Sequence, residues 1–174
     1  MLKVLGIIPA RFASTRFPGK PLVSIYGKSM IQRVYEQALQ SKILHKVIVA
    51  TDDDKIFTEV ENFGGNVEMT SSKHKNGTER CAEVLSKTNE KFDVIINIQG
   101  DEPFFEPRIL EQLSQCFFNE KTENGTPTFK IKYTMIDKNG EEAPRYSLEA
   151  FTLGEAKFQR DVSLQNGTYL NLFR

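Results

Sequence analysis

Short unbroken apolar blocks alternate with stretches of helical period through the first two thirds of the chain. Val4-Leu5-Gly6-Ile7-Ile8, the β-branched run from Lys46 to Ala50, and Val94-Ile95-Ile96-Asn97-Ile98 are such blocks, with a shorter one from Asn66 to Met69. Runs of this kind suit strands buried on both faces. Between them the period changes. Ser29-Met30-Ile31-Gln32 matches a capping box, after which Ile31, Val34, Tyr35, Ala38 and Leu39 form a helical stripe. Asp52 to Asp54 can cap a second helix with Ile56, Val60 and Phe63 on one face, and Gly64-Gly65 ends it. Thr78 to Ser86 reads as a third helix with Cys81, Val84 and Leu85 inward, and Pro107 opens a fourth carrying Leu110, Leu113 and Phe117.

Strand–helix alternation with short connections predicts an α/β fold, a mainly parallel sheet with right-handed crossovers and helices on both faces. The expected order of these strands is 3-2-1-4, with a switch point between the first and the fourth. From about Lys121 the pattern changes. Thr122 to Pro127 is a polar linker, Phe129 to Met135 alternates like a half-exposed strand, and Asp137-Lys138-Asn139-Gly140 reads as a hairpin turn. Glu149 to Phe158 fits neither period, and Thr168 to Phe173 reads as a last strand. The expected organisation is an α/β core over 1–120 and an atypical tail over 121–174, packed on or extending the same domain.

At 174 residues the chain fits one domain with a real core. Acidic and basic residues balance at 23 each, so no global field points to nucleic acid or membranes, and any basic function is local. Cys81 and Cys116 lack metal-ligand spacing and read as reduced core thiols. No apolar run approaches the roughly 18 residues of a membrane span. Met1-Leu2-Lys3 leads straight into a strand and leaves no room for a signal peptide, so a soluble cytoplasmic protein is expected.

The first strand runs into Pro9-Ala10-Arg11-Phe12-Ala13-Ser14-Thr15-Arg16-Phe17-Pro18-Gly19-Lys20, a loop with three cations and two hydroxyls. Loops at the carboxyl ends of parallel strands bind ligands, and cations beside backbone N–H groups suit a polyphosphate. The pattern is neither a Walker loop nor a dinucleotide fingerprint, so the side-chain cations carry more of the binding. Across the switch point lies Gln99-Gly100-Asp101-Glu102-Pro103. Carboxylates opposite a phosphate loop would repel phosphate unless a bridging Mg²⁺ stood between them, and magnesium needs few protein carboxylates. Capping of the helix at Pro107 is the plainer alternative for Asp101 and Glu102. Asn97 and Gln99 are side-chain amides able to read a hydroxyl or a base edge. The segment His74-Lys75-Asn76-Gly77-Thr78-Glu79-Arg80 opens a helix and can meet an anion or a base. His45 reads as solvated, His74 has no partner at metal-ligand spacing, and Asp52-Asp53-Asp54 is better explained by capping than by a metal.

The motifs IIPARFASTRFPGKPL, VIVATDDDKI, NGTER and VIINIQGDEPF together resemble the CMP-Kdo synthetases, the 3-deoxy-manno-octulosonate cytidylyltransferases. The resemblance extends from about Val4 to about Leu113. It implies a Rossmann-like nucleotidyltransferase that uses CTP and Mg²⁺ to activate Kdo for lipopolysaccharide biosynthesis. By this likeness Arg11 and Lys20 hold the triphosphate, with the Ala10–Ser14 loop around it. Asn76, Thr78 and Arg80 lie in the nucleotide-binding turn, where Asn76 replaces a more usual serine. Gln99 stands near the sugar and Asp101 is a metal ligand, so Arg11, Lys20 and Asp101 are the expected catalytic residues. A homodimer is also implied, although its usual contact region is not recognisable. Beyond Phe118 the resemblance is lost, and the later segment bearing a second metal-binding aspartate and sugar-side residues is not found over 121–174. Two alternatives follow: a cytidylyltransferase for another acidic sugar, or a nucleotide-binding remnant impaired in catalysis.

Overall fold

The computed structural model describes residues 3–13, 17–119, 128–133, 146–151, 160–164 and 168–173, with side chains described up to residue 114. Strand β1 (Val4–Ala10) leads through a 3-10 turn (Lys20–Leu22) and a small hairpin, β2 (Ser24–Ile25) and β3 (Lys28–Ser29), into helix α1 (Met30–Ala38). Then follow β4 (Leu44–Thr51), α2 (Asp54–Asn62), β5 (Val67–Met69), α3 (Gly77–Lys87), β6 (Val94–Asn97) and α4 (Arg108–Asn119). Strands β7 (Thr128–Tyr133), β8 (Tyr146–Phe151), β9 (Arg160–Leu164) and β10 (Thr168–Phe173) complete the described elements.

The sheet order is β5-β4-β1-β6-β8-β7-β10-β9. Its first four strands are parallel and reproduce the expected 3-2-1-4 arrangement. At β6 the pairing turns antiparallel: Ile95, Ile96 and Asn97 face Phe151, Ala150 and Glu149 of β8, and β7, β10 and β9 follow. Residues of the tail thus continue the sheet of the core. The linker from Thr122 to Pro127 and the hairpin turn from Asp137 to Gly140 lie outside the described residues.

Strand β1 shows why the apolar runs were unbroken. Val4, Ile8 and Ala10 pack with Ile31 and Val34 of α1, Ile56 and Val60 of α2, and Leu110 and Leu113 of α4. Leu5 and Ile7 pack on the other face with Cys81 and Val84 of α3. Successive side chains point to opposite faces, so a strand covered on both sides has no polar positions to spare. Burying each such side chain contributes roughly 1.5–3 kcal/mol, which fixes the sheet and holds its carboxyl edge in place.

The capping box before α1 is half formed. Ser29 Oγ accepts from Gln32 N–H, but the Gln32 amide donates to Glu36 at 2.9 Å instead of reaching back to the cap. Glu36 also accepts from Lys28 Nζ of β3, so it joins the hairpin to the first turns of α1. That hairpin is absent from the pattern reading because two-residue strands carry no period. Asp53 caps α2 as expected, accepting from the Lys55 and Ile56 N–H groups, and Gly64 leaves it at φ 78°. His45 is exposed, and its Nδ1 also accepts the Val4 N–H at 3.0 Å.

Candidate functional site

The carboxyl ends of β1 and β6 converge because two glycines allow it. A Cβ on Gly100 would stand 2.9 Å from the Pro9 carbonyl oxygen, and one on Gly77 would stand 3.0 Å from Pro9 Cγ. The loop after β6 and the first turn of α3 therefore both close onto Pro9, at the place where the chain leaves β1. No larger residue fits at Gly100 without moving backbone.

The basic loop is closed at its neck. Gly19 N–H donates to the Phe12 carbonyl at 2.9 Å, and Gly19 adopts φ 72° with the Phe12 ring against its Cα. A Cβ there would be 3.1 Å from that ring, so the left-handed turn and the close packing both require glycine. Lys55 Nζ lies 5.0 Å over the same ring, fixing Phe12 from the α2 side. Ala10 is buried at the strand end and Arg11 is exposed just beyond it. Ser14 lies outside the described residues. Pro21 follows inside the 3-10 turn, and Lys20 extends from the neck across the switch point.

There Lys20 Nζ meets Asp101 Oδ2 at 2.7 Å, with the two side chains 36% and 53% exposed. The structure thus joins two residues 81 positions apart that the sequence reading placed on opposite sides of one crevice. Glu102 is 7% exposed, so of the two adjacent carboxylates Asp101 faces solvent and Glu102 does not. Among the described residues no three His, Cys, Asp or Glu side chains gather as a metal cluster. Gln99 is half-buried at the same edge. Asn97 is 3% exposed, turned toward Gly77 beneath α3, and its Oδ1 has no hydrogen-bond partner among the described residues.

The third station is the loop into α3. Asn76 is the helix cap: its Oδ1 accepts Glu79 N–H at 2.8 Å and its Nδ2 donates to Glu79 Oε1 at 3.0 Å. Glu79 Oε2 accepts Lys75 N–H at 2.8 Å. Asn76 and Thr78 are exposed at the mouth. Arg80 is not: its side chain is 1% exposed, with Nη1 on Thr70 Oγ1 and Nη2 on Asp52 Oδ2 at 3.0 Å. Arg80, expected to lie at the nucleotide turn, instead has its guanidinium turned inward onto protein acceptors. The same contact takes Asp52 out of the capping cluster. His74 Nε2 bonds Glu83 Oε2, which also accepts Ser71 N–H at 2.8 Å. Glu83 is held down to about 2 by the Ser71 N–H, then by Lys87 and His74. Buried arginine partners separated widely in sequence leave no periodic signal, which is why this network was not foreseen.

This arrangement meets known proteins of one kind. The family model for cytidylyltransferases matches residues 5–150, past Phe118 and through β7 and β8. The likeness to the curated Kdo enzymes stops at the N-terminal 72–75% of the chain, in line with the expected departure of the tail, while the broader family model runs on to residue 150. The 3-deoxy-manno-octulosonate cytidylyltransferase of Parabacteroides distasonis is 54% identical over 126 residues, 72% of this chain and 49% of its own length. That of Geobacter sulfurreducens is 51% identical over 132 residues, 75% of this chain and 52% of its own. The chain spans about half the length of the curated relatives it matches. A solved CMP:2-keto-3-deoxy-manno-octonic acid synthetase complexed with CTP superimposes with TM-score 0.67 at 34% identity, covering 98% of this chain and 71% of that one. No helix among the described residues is long and apolar enough to cross a membrane. With a nucleotidyltransferase sheet and the family model covering most of its length, the chain belongs to the cytidylyltransferase family.

Proposed function

We propose that this chain binds CTP with a divalent cation and transfers its cytidylyl group to an acidic sugar, Kdo by likeness to the relatives named above. The observation that carries the reading is the 2.7 Å pair between Lys20 Nζ and Asp101 Oδ2 at the switch point. A nucleotide triphosphate carrying a cation satisfies both partners at once: phosphate oxygen replaces carboxylate on Lys20, and the cation replaces ammonium on Asp101. Each charge keeps an opposite charge, so opening the pair costs little. Asp101 is a hard oxygen donor and fits magnesium, which takes few protein carboxylates and completes its shell with phosphate and water. When bound, the ion offsets phosphate charge and lowers the pKa of the attacking hydroxyl.

The protein's own part is positioning and charge. Arg11 and Lys20 hold the triphosphate and offset the charge that grows on the departing pyrophosphate. The Asn76–Thr78 turn faces the base, and Gln99 stands toward the sugar. The anomeric hydroxyl of Kdo attacks the α-phosphorus, the bond from that phosphorus to the bridging oxygen breaks, and the hydroxyl proton passes to solvent. The products are CMP-Kdo and pyrophosphate, and no covalent enzyme intermediate is required.

Pyrophosphate release from CTP, Kdo and magnesium by the full chain tests this, and a panel of acidic sugars separates Kdo from other acceptors. Nucleotide binding without turnover is the second reading, kept because the curated relatives match 72–75% of this chain and leave the tail unmatched. Under that reading CTP and magnesium raise the melting temperature while no pyrophosphate appears.

A further inference from the structure

Two clamps hold the loop that precedes α3, one beneath it and one outside it. The inner clamp is Arg80, which reaches from the first turn of α3 to Thr70 at the end of β5 and to Asp52 after β4. Thr70 is tied in turn to β4: its N–H and its hydroxyl both bond the Thr51 carbonyl, at 2.7 and 2.9 Å. The outer clamp is Glu83, one turn further along α3, which takes Ser71 N–H and His74. Between the clamps the chain runs to Gly77, which packs against Pro9. A guanidinium that bridges two strand ends with fixed geometry is suited to setting the height of a helix relative to a sheet edge. Nothing in this geometry directs it at a ligand.

We propose that Arg80 is a positioning residue for the nucleotide site, acting through Thr70 and Asp52 to set the Asn76–Thr78 turn against Pro9 and so to select the base. This rests on the CTP reading given above and extends it. Because the turn is held before nucleotide arrives, less ordering cost falls on binding. The phosphate half of the site, on Arg11 and Lys20, stands on a different loop and does not depend on this clamp.

The test uses Asp52→Asn, Thr70→Val and Arg80→Lys in the full chain, with CTP, ATP and inorganic tripolyphosphate titrated in magnesium. Asp52→Asn leaves every residue at the mouth in place and weakens the inner clamp alone, so it stays informative if the arginine variant fails to fold. The expected result is a loss of CTP affinity of about tenfold or more. Tripolyphosphate affinity stays unchanged and the preference for CTP over ATP narrows. Amide exchange from Ser71 to Thr78 quickens in the same variants while that of β1 does not. CTP affinity and base preference equal to or above the unmodified chain in Asp52→Asn would overturn the inference, since releasing a nucleotide-contacting guanidinium leaves binding intact or strengthens it. Absence of CTP binding by the unmodified chain would instead remove the nucleotide reading itself, and this inference with it.

Discussion

The loop after β1 and the loop before α3 meet at the same sheet edge but are built in opposite ways. The first is closed at its neck by one backbone hydrogen bond and the Gly19–Phe12 packing, and it leaves Arg11 exposed and Lys20 extended to Asp101. The second ties Thr70, Ser71, His74, Lys75 and Asn76 to side chains of α3 before any ligand arrives. One loop offers charge that can be exchanged; the other offers a shape that is already set. Phosphate recognition needs the former, because strong charge-assisted contacts must change partner when the ligand binds. Base recognition needs the latter, because discrimination by a few hydrogen bonds requires donors and acceptors held in place.

Asp101→Asn breaks the comparison most severely. It is expected to eliminate the enhancement of CTP binding by magnesium, read as a thermal shift with and without the metal, while the fold survives on an exposed loop. An undiminished magnesium effect in that variant would remove Asp101 from the site. Lys20→Ala is expected to weaken CTP binding by about 2 kcal/mol, the scale of a hydrogen bond to a charged group, with tripolyphosphate losing as much as CTP. Equal CTP affinity in this variant would make the loop an ordinary solvated turn.

Gly100→Ala sharpens the geometry that both loops share. Its new methyl would sit 2.9 Å from the Pro9 carbonyl oxygen, and a backbone atom cannot swing aside. A destabilisation of about 1–3 kcal/mol is expected by chemical denaturation, with CTP binding also reduced. Unchanged stability would show that the two strand ends are not locked as described.

The pattern of apolar positions made the parallel core legible. β1, β6 and the Val47–Thr51 part of β4 are covered on both faces, so they read as unbroken apolar runs, and strand–helix alternation then orders them. The meeting of Lys20 with Asp101 at one sheet edge was legible too, since the loops after β1 and β6 flank the switch point and nothing local requires their charges. The burial of Arg80 was not legible, for the converse reason. A charged residue near a helix N-terminus looks exposed in sequence, and only the distant Thr70 and Asp52 show that it is buried. The antiparallel turn of the sheet at β8 was also hidden, because Glu149 to Phe151 pair with β6 across an interval longer than any local period.

Glu83→Gln carries the smallest expected effect. Its carboxyl lies at about 2 in the folded chain against an ordinary 4.5, held there first by the Ser71 N–H and then by Lys87 and His74. A depressed carboxylate stabilises the fold above its ordinary value and loses that contribution as pH falls from about 4.5 toward about 2. The variant is expected to show a shallower fall in stability over that window, with less than about 1 kcal/mol lost at neutral pH because the pair is partly solvated. An identical acid slope in both chains would detach Glu83 from the outer clamp.

The most direct test of the central claim is calorimetric titration of CTP into the full chain, once in magnesium and once in EDTA. If Lys20 and Asp101 exchange each other for phosphate and cation, CTP binds in both conditions and binds more tightly with the metal, by about tenfold or more. Equal affinity in the two titrations, or no CTP binding in magnesium, would contradict the account.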